Sequence, residues 1–129
     1  MKDCSFCDIV NRSTENQILC ESEMSLSFED KYPVSLGHSL LIPRIHEPNF
    51  FKLPTSNQFD LWKLLTELQE ILTEKYQPDG FNIGVNVNSD AGQTVEHAHI
   101  HLIPRYKGDV ADSRGGIRWV IPQNAPYWD

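Results

Sequence analysis

Apolar residues recur at helical spacing over one stretch of the chain. Leu61, Leu64, Leu65, Leu68, Ile71 and Leu72 share one face of a helix expected from Thr55 to about Tyr76. Pro54 precedes it, Thr55 and Gln58 have capping-box spacing, and Pro78-Asp79-Gly80 stops it. Elsewhere the apolar pattern shortens to strands: Ile18–Glu21, Ser25–Glu29 and a mostly apolar segment through Gly37–Pro43. Phe81, Ile83, Val85 and Val87 alternate with Asn82 and Asn86, which predicts a further strand over 81–87. A connection over 88–94 then returns the chain as a hairpin. Near the start, Cys4-Ser5-Phe6-Cys7 leads into a short helix through Asp8-Ile9-Val10, and 11–16 is polar loop. The expected fold class is α+β: a meander of about five mostly antiparallel strands with one long helix on one face, in a single domain over 1–129.

The last strand carries the chemistry. His97, His99 and His101 alternate with Ala98 and Ile100. On a strand, alternate side chains share a face, so the three imidazoles are expected in a row, opposite Glu96, Ala98, Ile100 and Leu102. Pro104 is expected to close the strand. Three imidazoles buried together without partners are costly, so the row calls for a metal, a ligand or solvent.

Composition narrows the setting. No apolar run reaches the ~20 residues that span a bilayer, and the N-terminus has no signal-peptide pattern. A cytoplasmic location is the default expectation, without a membrane partner. A formal charge of −7 argues against nucleic acid as a partner. Three cysteines, an odd number, argue against a disulfide scaffold.

Two chemistries fit the row. Several rings can bind one metal, histidine being a common zinc ligand. Alternatively, one imidazole is a nucleophile towards phosphorus and its neighbours hold phosphate oxygens or protonate a leaving group. Because the outer two rings sit roughly 13 Å apart at Cα on an extended strand, the central His99 is the ring that others can flank.

His-x-His-x-His followed by Leu102 and Ile103 and preceded by Gly92-Gln93-Thr94-Val95 resembles the histidine triad (HIT) superfamily of nucleotide hydrolases and transferases. Gly37–His46 looks like that family's earlier strand with a fourth active-site histidine. Cys4–Ile9 resembles the N-terminus of bacterial members, and 109–122 resembles a tail of the diadenosine-polyphosphate-hydrolase type. The resemblance implies that His99 attacks an α-phosphate to give a nucleotidyl-histidine, with His101 and His38 on the phosphate. His97 would position the site, its carbonyl helping to fix the tautomer of the nucleophile. Gln93 and Thr94 would meet the phosphate and leaving group, Asn86 the scissile bond, and Asp30 the ribose hydroxyls. It further implies a structural zinc on Cys4, Cys7, His46 and His97, no cofactor for the chemistry itself, and a homodimer. The expected activity is hydrolysis or transfer on dinucleoside polyphosphates. The alternatives are a purine nucleoside phosphoramidase, or a nucleotide-binding regulator with little turnover.

Overall fold

The two periodicities resolve into a twisted sheet backed by one helix. The computed structural model describes residues 3–12 and 16–129, so part of the loop expected over 11–16 lies outside the described residues. The elements are α1 (Ser5–Val10), β1 (Ile18–Glu21), β2 (Ser25–Glu29), β3 (Ser39–Pro43), α2 (Thr55–Tyr76), β4 (Gly80–Gly84) and β5 (Ile100–Arg105), with short 3₁₀ turns between and after them. All strand pairs are antiparallel, in the spatial order β1-β2-β3-β5-β4. The α+β architecture with five strands and one long helix is therefore as expected. The order is not a simple meander, because β5 inserts between β3 and β4. That insertion sets the segment entering β3, which carries His38, beside the strand that carries His101.

Each face of the sheet has its own core. Leu41, Ile100 and Leu102 pack with Leu61, Leu64, Leu65, Leu68 and Leu72 of α2. The stripe read from the sequence is thus the buried face of the helix. On the other face Leu26, Phe28, Leu40 and Ile42 pack with Phe6 and Ile9 of α1. Register puts His101 on this second face, since it stands opposite Leu40 on one side and Gly84 on the other. Alternation then sends Ile103 and Arg105 to the same face.

Four local expectations change. Thr55 and Gln58 form no capping box. Pro54 occupies the cap position, Thr55 is already the first helical residue, and the Gln58 side-chain amide donates to the Leu53 carbonyl instead (3.1 Å). Pro104 does not close β5, which runs on to Arg105. Pairing with β3 stops at Leu102, so the missing N–H of Pro104 falls where only β4 accompanies the strand. β4 ends at Gly84 rather than at Val87, because Gly84 opposite His101 is its last pair. Val85 and Val87 still pack on the α2 core. Finally, only His101 lies within β5; His97 and His99 precede it. No helix among the described residues is long and apolar enough to cross a membrane.

Candidate active site

The first two of the three imidazoles stand before β5, and a tight turn leads into them. The His97 N–H donates to the Val95 carbonyl (2.9 Å), closing a three-residue turn. The Ala98 N–H donates to the Glu47 carbonyl (2.7 Å), which ties the turn to the loop after β3. His97 is fully buried, its ring against Phe6 of α1, the same ring that meets His99. His99 and His101 stay together with ring centroids 5.0 Å apart. Both line a cleft of about 810 Å³ on the α1 face of the sheet.

Backbone groups assign the protons on these rings. A carbonyl can only accept and an N–H can only donate. His97 Nε2 lies 2.9 Å from the Pro43 carbonyl and therefore carries its proton there. Its Nδ1 lone pair faces the two thiols of Cys4 and Cys7, at 3.5 and 3.6 Å. His99 Nδ1 lies 2.8 Å from the His97 carbonyl, so Nδ1 is protonated and Nε2 keeps its lone pair. The Val34 N–H donates to His38 Nδ1 (3.1 Å), which leaves the proton of a neutral His38 on Nε2. That nitrogen is 2.9 Å from His101 Nδ1, which accepts. His101 is left with an N–H at Nε2. The pair His99 and His101 thus offers one lone pair and one donor.

Burial keeps the rings neutral. It pushes His99 below the usual imidazole range against the opposing pull of the His97 carbonyl. His101 is pushed down to about 4, first by burial and then by His99 and His38. His38 is lowered by burial, with Asp30 pulling the other way from 3.5 Å. Phe6 of α1 stands edge-on to His99, with centroids 5.2 Å apart, and contributes to that burial. A neutral imidazole with a free Nε2 lone pair is a competent nucleophile at pH 7.

Asp30, Asn86 and Thr94 line the same cleft. Asp30 follows β2, its side chain fixed by the Tyr32 N–H (2.9 Å). Gly92 holds a left-handed φ of +96°, a conformation that favours glycine, and it too borders the cleft beside Asn86. Gln93 is not brought into the cleft. Its amide braces the loop, donating to the carbonyls of Pro48 (2.7 Å) and Val95 (3.0 Å) and accepting from the Asn88 N–H (2.9 Å). Phe6, Ile9, Phe28 and Tyr32 supply apolar walls that the sequence reading did not single out. For Phe6 the available signal was its place between Cys4 and Cys7. For the Val34 N–H and the Pro43 carbonyl there was none, because main-chain groups carry no residue label.

Beside the cleft, Cys4, Cys7, His46 and His97 bring their ligand atoms within 4.8 Å of one another. Cys7 Sγ lies 3.3 Å from His46 Nδ1. A tetrahedral zinc with its usual bond lengths sets sulfur and nitrogen ligands about 3.6 Å apart, so the set fits that ion. The orientation of His97 fits as well, since its Nε2–H is held on the Pro43 carbonyl and its Nδ1 lone pair faces the two sulfurs. Without a metal the Cys7 thiol is pushed up to about 11 by burial and by Cys4 and Asp8. Asp30, His38 and His101 also cluster. There the 2.9 Å nitrogen–nitrogen distance and the Val34 N–H on the far side of His38 describe a shared proton rather than a metal.

An antiparallel sheet with paired imidazoles over a cleft and a Cys₂His₂ set behind them defines a class of protein. The HIT domain family model matches residues 11–108, and the chain belongs to the HIT family. An uncharacterized HIT-like protein of Methanocaldococcus jannaschii is 38% identical over 106 residues, covering 82% of this chain and 81% of that one. Adenylylsulfatase HINT3 of Arabidopsis thaliana is 36% identical over 83% of this chain. The asymmetrical bis(5'-nucleosyl)-tetraphosphatase of Schizosaccharomyces pombe is 33% identical over 76%. The matches cover 54% of each of these last two proteins, so the chain spans about half their length. Among solved structures, a Bacillus anthracis HIT family protein superposes with a TM-score of 0.79 at 32% identity, covering 88% of this chain and 84% of that one. A zinc-bound histidine triad protein of Mycobacterium smegmatis superposes at 0.78 with 31% identity, covering 84% and 79%.

Proposed function

We propose that this chain is a nucleotide hydrolase or transferase that attacks the α-phosphate of dinucleoside polyphosphates through His99. The observation that carries the reading is the 2.8 Å hydrogen bond from His99 Nδ1 to the His97 carbonyl, which leaves Nε2 free towards the cleft. The nucleoside sits between the walls made by Phe6, Ile9 and Phe28, with Asp30 accepting from its ribose hydroxyls. His99 Nε2 bonds to the α-phosphorus as the bond to the bridging oxygen breaks and the remaining polyphosphate leaves. The N–H of His101, backed by His38, stabilises the charge on the phosphoryl oxygens. Thr94 and Asn86 border the leaving group, and Gln93 acts through the loop it braces. Water then attacks the phosphorus, the N–P bond breaks, and a nucleoside monophosphate departs. His99 returns to neutral and the proton of water passes to solvent.

A second reading rests on charge. Of the residues lining the cleft, Lys31 is the cation, and it shares the rim with the carboxylates of Glu29 and Asp30. An amine leaving group needs less positive charge than a polyphosphate, which favours a purine nucleoside phosphoramidase. Binding with little turnover is the remaining possibility. Its weak point is that a regulator has no use for a ring with a prearranged lone pair.

In this reading Cys4, Cys7, His46 and His97 hold a structural zinc, supported by the ligand distances and by the zinc-bound relative. Four protein ligands leave no open coordination position, so the ion organises the fold and supplies no reacting group. The chain acts in the cytoplasm as a homodimer. Support for self-association comes from β4 as an outer strand of the sheet and from the exposed Ile117, Val120 and Tyr127.

Substituting His99→Ala is expected to reduce turnover of diadenosine tetraphosphate and of adenosine phosphoramidate at least 10³-fold, the scale on which nucleophile removal acts. Product analysis by chromatography checks this, and near-normal turnover contradicts the assignment. In wild type the ratio of the two rates decides between the leaving groups. The chain is expected to bind one zinc, with Cys7→Ser weakening zinc more than tenfold in competition with a chromophoric chelator. Equal affinities would remove the zinc assignment. Sedimentation is expected to return the mass of two chains, and a single-chain mass at tens of micromolar would refute the dimer.

A further inference from the structure

Next to the cleft, on the same face of the sheet, lies a second groove of about 550 Å³. Its floor is Ile103 and its sides are Val34, Val110 and Trp119. Ile103 follows His101 on the same face of β5, about 6.6 Å further along the strand. Val34 lines both the groove and the cleft, so the two meet at this residue. Val34 is also strongly exposed at 72% and forms a low rim rather than a wall. Because the Val34 N–H bonds His38, this shared rim lies at the phosphate end of the cleft.

The chemistry of the groove differs from that of the cleft. Its charged groups are already closed into pairs. Arg105 donates twice to the Asp109 carboxylate (2.8 and 2.9 Å) and once to Asn82 (2.6 Å). Asp112 is held by Arg114 (2.9 Å). No cation is left over there for a phosphate. What remains is an aliphatic floor and the indole of Trp119, whose Nε1–H is fixed on the Arg114 carbonyl (2.8 Å) so that the ring is held in place. Such a surface suits a flat, uncharged heteroaromatic ring, and the volume is within the range of small-molecule sites.

We infer that this groove receives the far nucleoside of a dinucleoside polyphosphate, its base stacked on Trp119, while the near nucleoside occupies the cleft and the phosphates bridge across Val34. The inference rests on the dinucleoside reading of the active site and adds a second binding position to it. It assigns the segment after β5 a part in selecting dinucleotides over mononucleotides. In the proposed mechanism the cleft binds the nucleoside that is transferred and treats the rest of the substrate as a leaving group. A second nucleoside position raises the affinity for a molecule that has both ends, because the second contact forms within an already bound ligand.

The test is binding to the full chain carrying His99→Ala, which removes turnover, measured by calorimetry with diadenosine tetraphosphate and with AMP. Adding Trp119→Ala is expected to weaken the tetraphosphate roughly tenfold, the scale of one base stacked on an aromatic ring, and to change AMP by less than twofold. Unchanged tetraphosphate binding, or an equal loss for both ligands, overturns the inference. Trp119 also braces the tail, so a second variant, Ala111→Trp, fills the groove without removing that brace. It is expected to produce the same selective loss, and retention of full tetraphosphate affinity overturns the inference even if Trp119→Ala fails to fold. Failure of the parent reading looks different: wild type then hydrolyses no dinucleoside polyphosphate, whatever the groove binds.

Discussion

One hydrogen bond organises the site, the 2.8 Å contact from His99 Nδ1 to the His97 carbonyl. It fixes which nitrogen of the central imidazole carries a proton and which way the lone pair points. A neutral histidine in water interconverts between two tautomers, and only one of them presents Nε2 as a nucleophile. A main-chain carbonyl two residues upstream removes that choice. It can do so because the backbone at His97 is held from three sides: its N–H on Val95, the following N–H on Glu47, and its own ring on the Pro43 carbonyl. The geometry of the proposed nucleophile is thus inherited from a turn rather than from another side chain.

The same residue joins the active site to the Cys₂His₂ set. His97 gives its carbonyl to His99 and its Nδ1 lone pair to the space between Cys4 and Cys7. Phe6 lies between those cysteines in α1 and packs against both His97 and His99, with centroids 5.9 and 5.2 Å away. A six-residue helix has little stability of its own. Ligation of the cysteines at its start would hold it, and with it the apolar wall that keeps His99 neutral. A zinc held there would act at a distance from the chemistry, through the placement of α1 and of the His97 backbone.

Much of this was legible in the sequence, and what escaped had a common cause. The helix stripe from Leu61 to Leu72 and the apolar strands are side-chain patterns, and they gave the α+β class and the strand count. The histidine spacing put His97, His99 and His101 on one face, and Phe6 of α1 meets the rings of both His97 and His99 on that face. The turn at 95–97, which the spacing did not reveal, sets where His97 enters it. The metal set and the fourth histidine came from resemblance rather than from spacing, since Cys4, His46 and His97 are far apart in the chain. The Thr55–Gln58 pair was misjudged because the Gln58 amide found a main-chain carbonyl instead, and the Gln93 amide likewise bonds main-chain groups of its own loop. The groove beside Trp119 had no signature at all, because it forms between β5 and a tail without regular pattern.

The most direct measurement is the tautomeric state of the histidines at pH 7, read from long-range proton–nitrogen correlation spectra of the ¹⁵N-labelled chain. The account predicts His99 as the Nδ1–H form and His38, His97 and His101 as the Nε2–H form, all neutral. His99 found as the Nε2–H form, or averaging between the two, would contradict it.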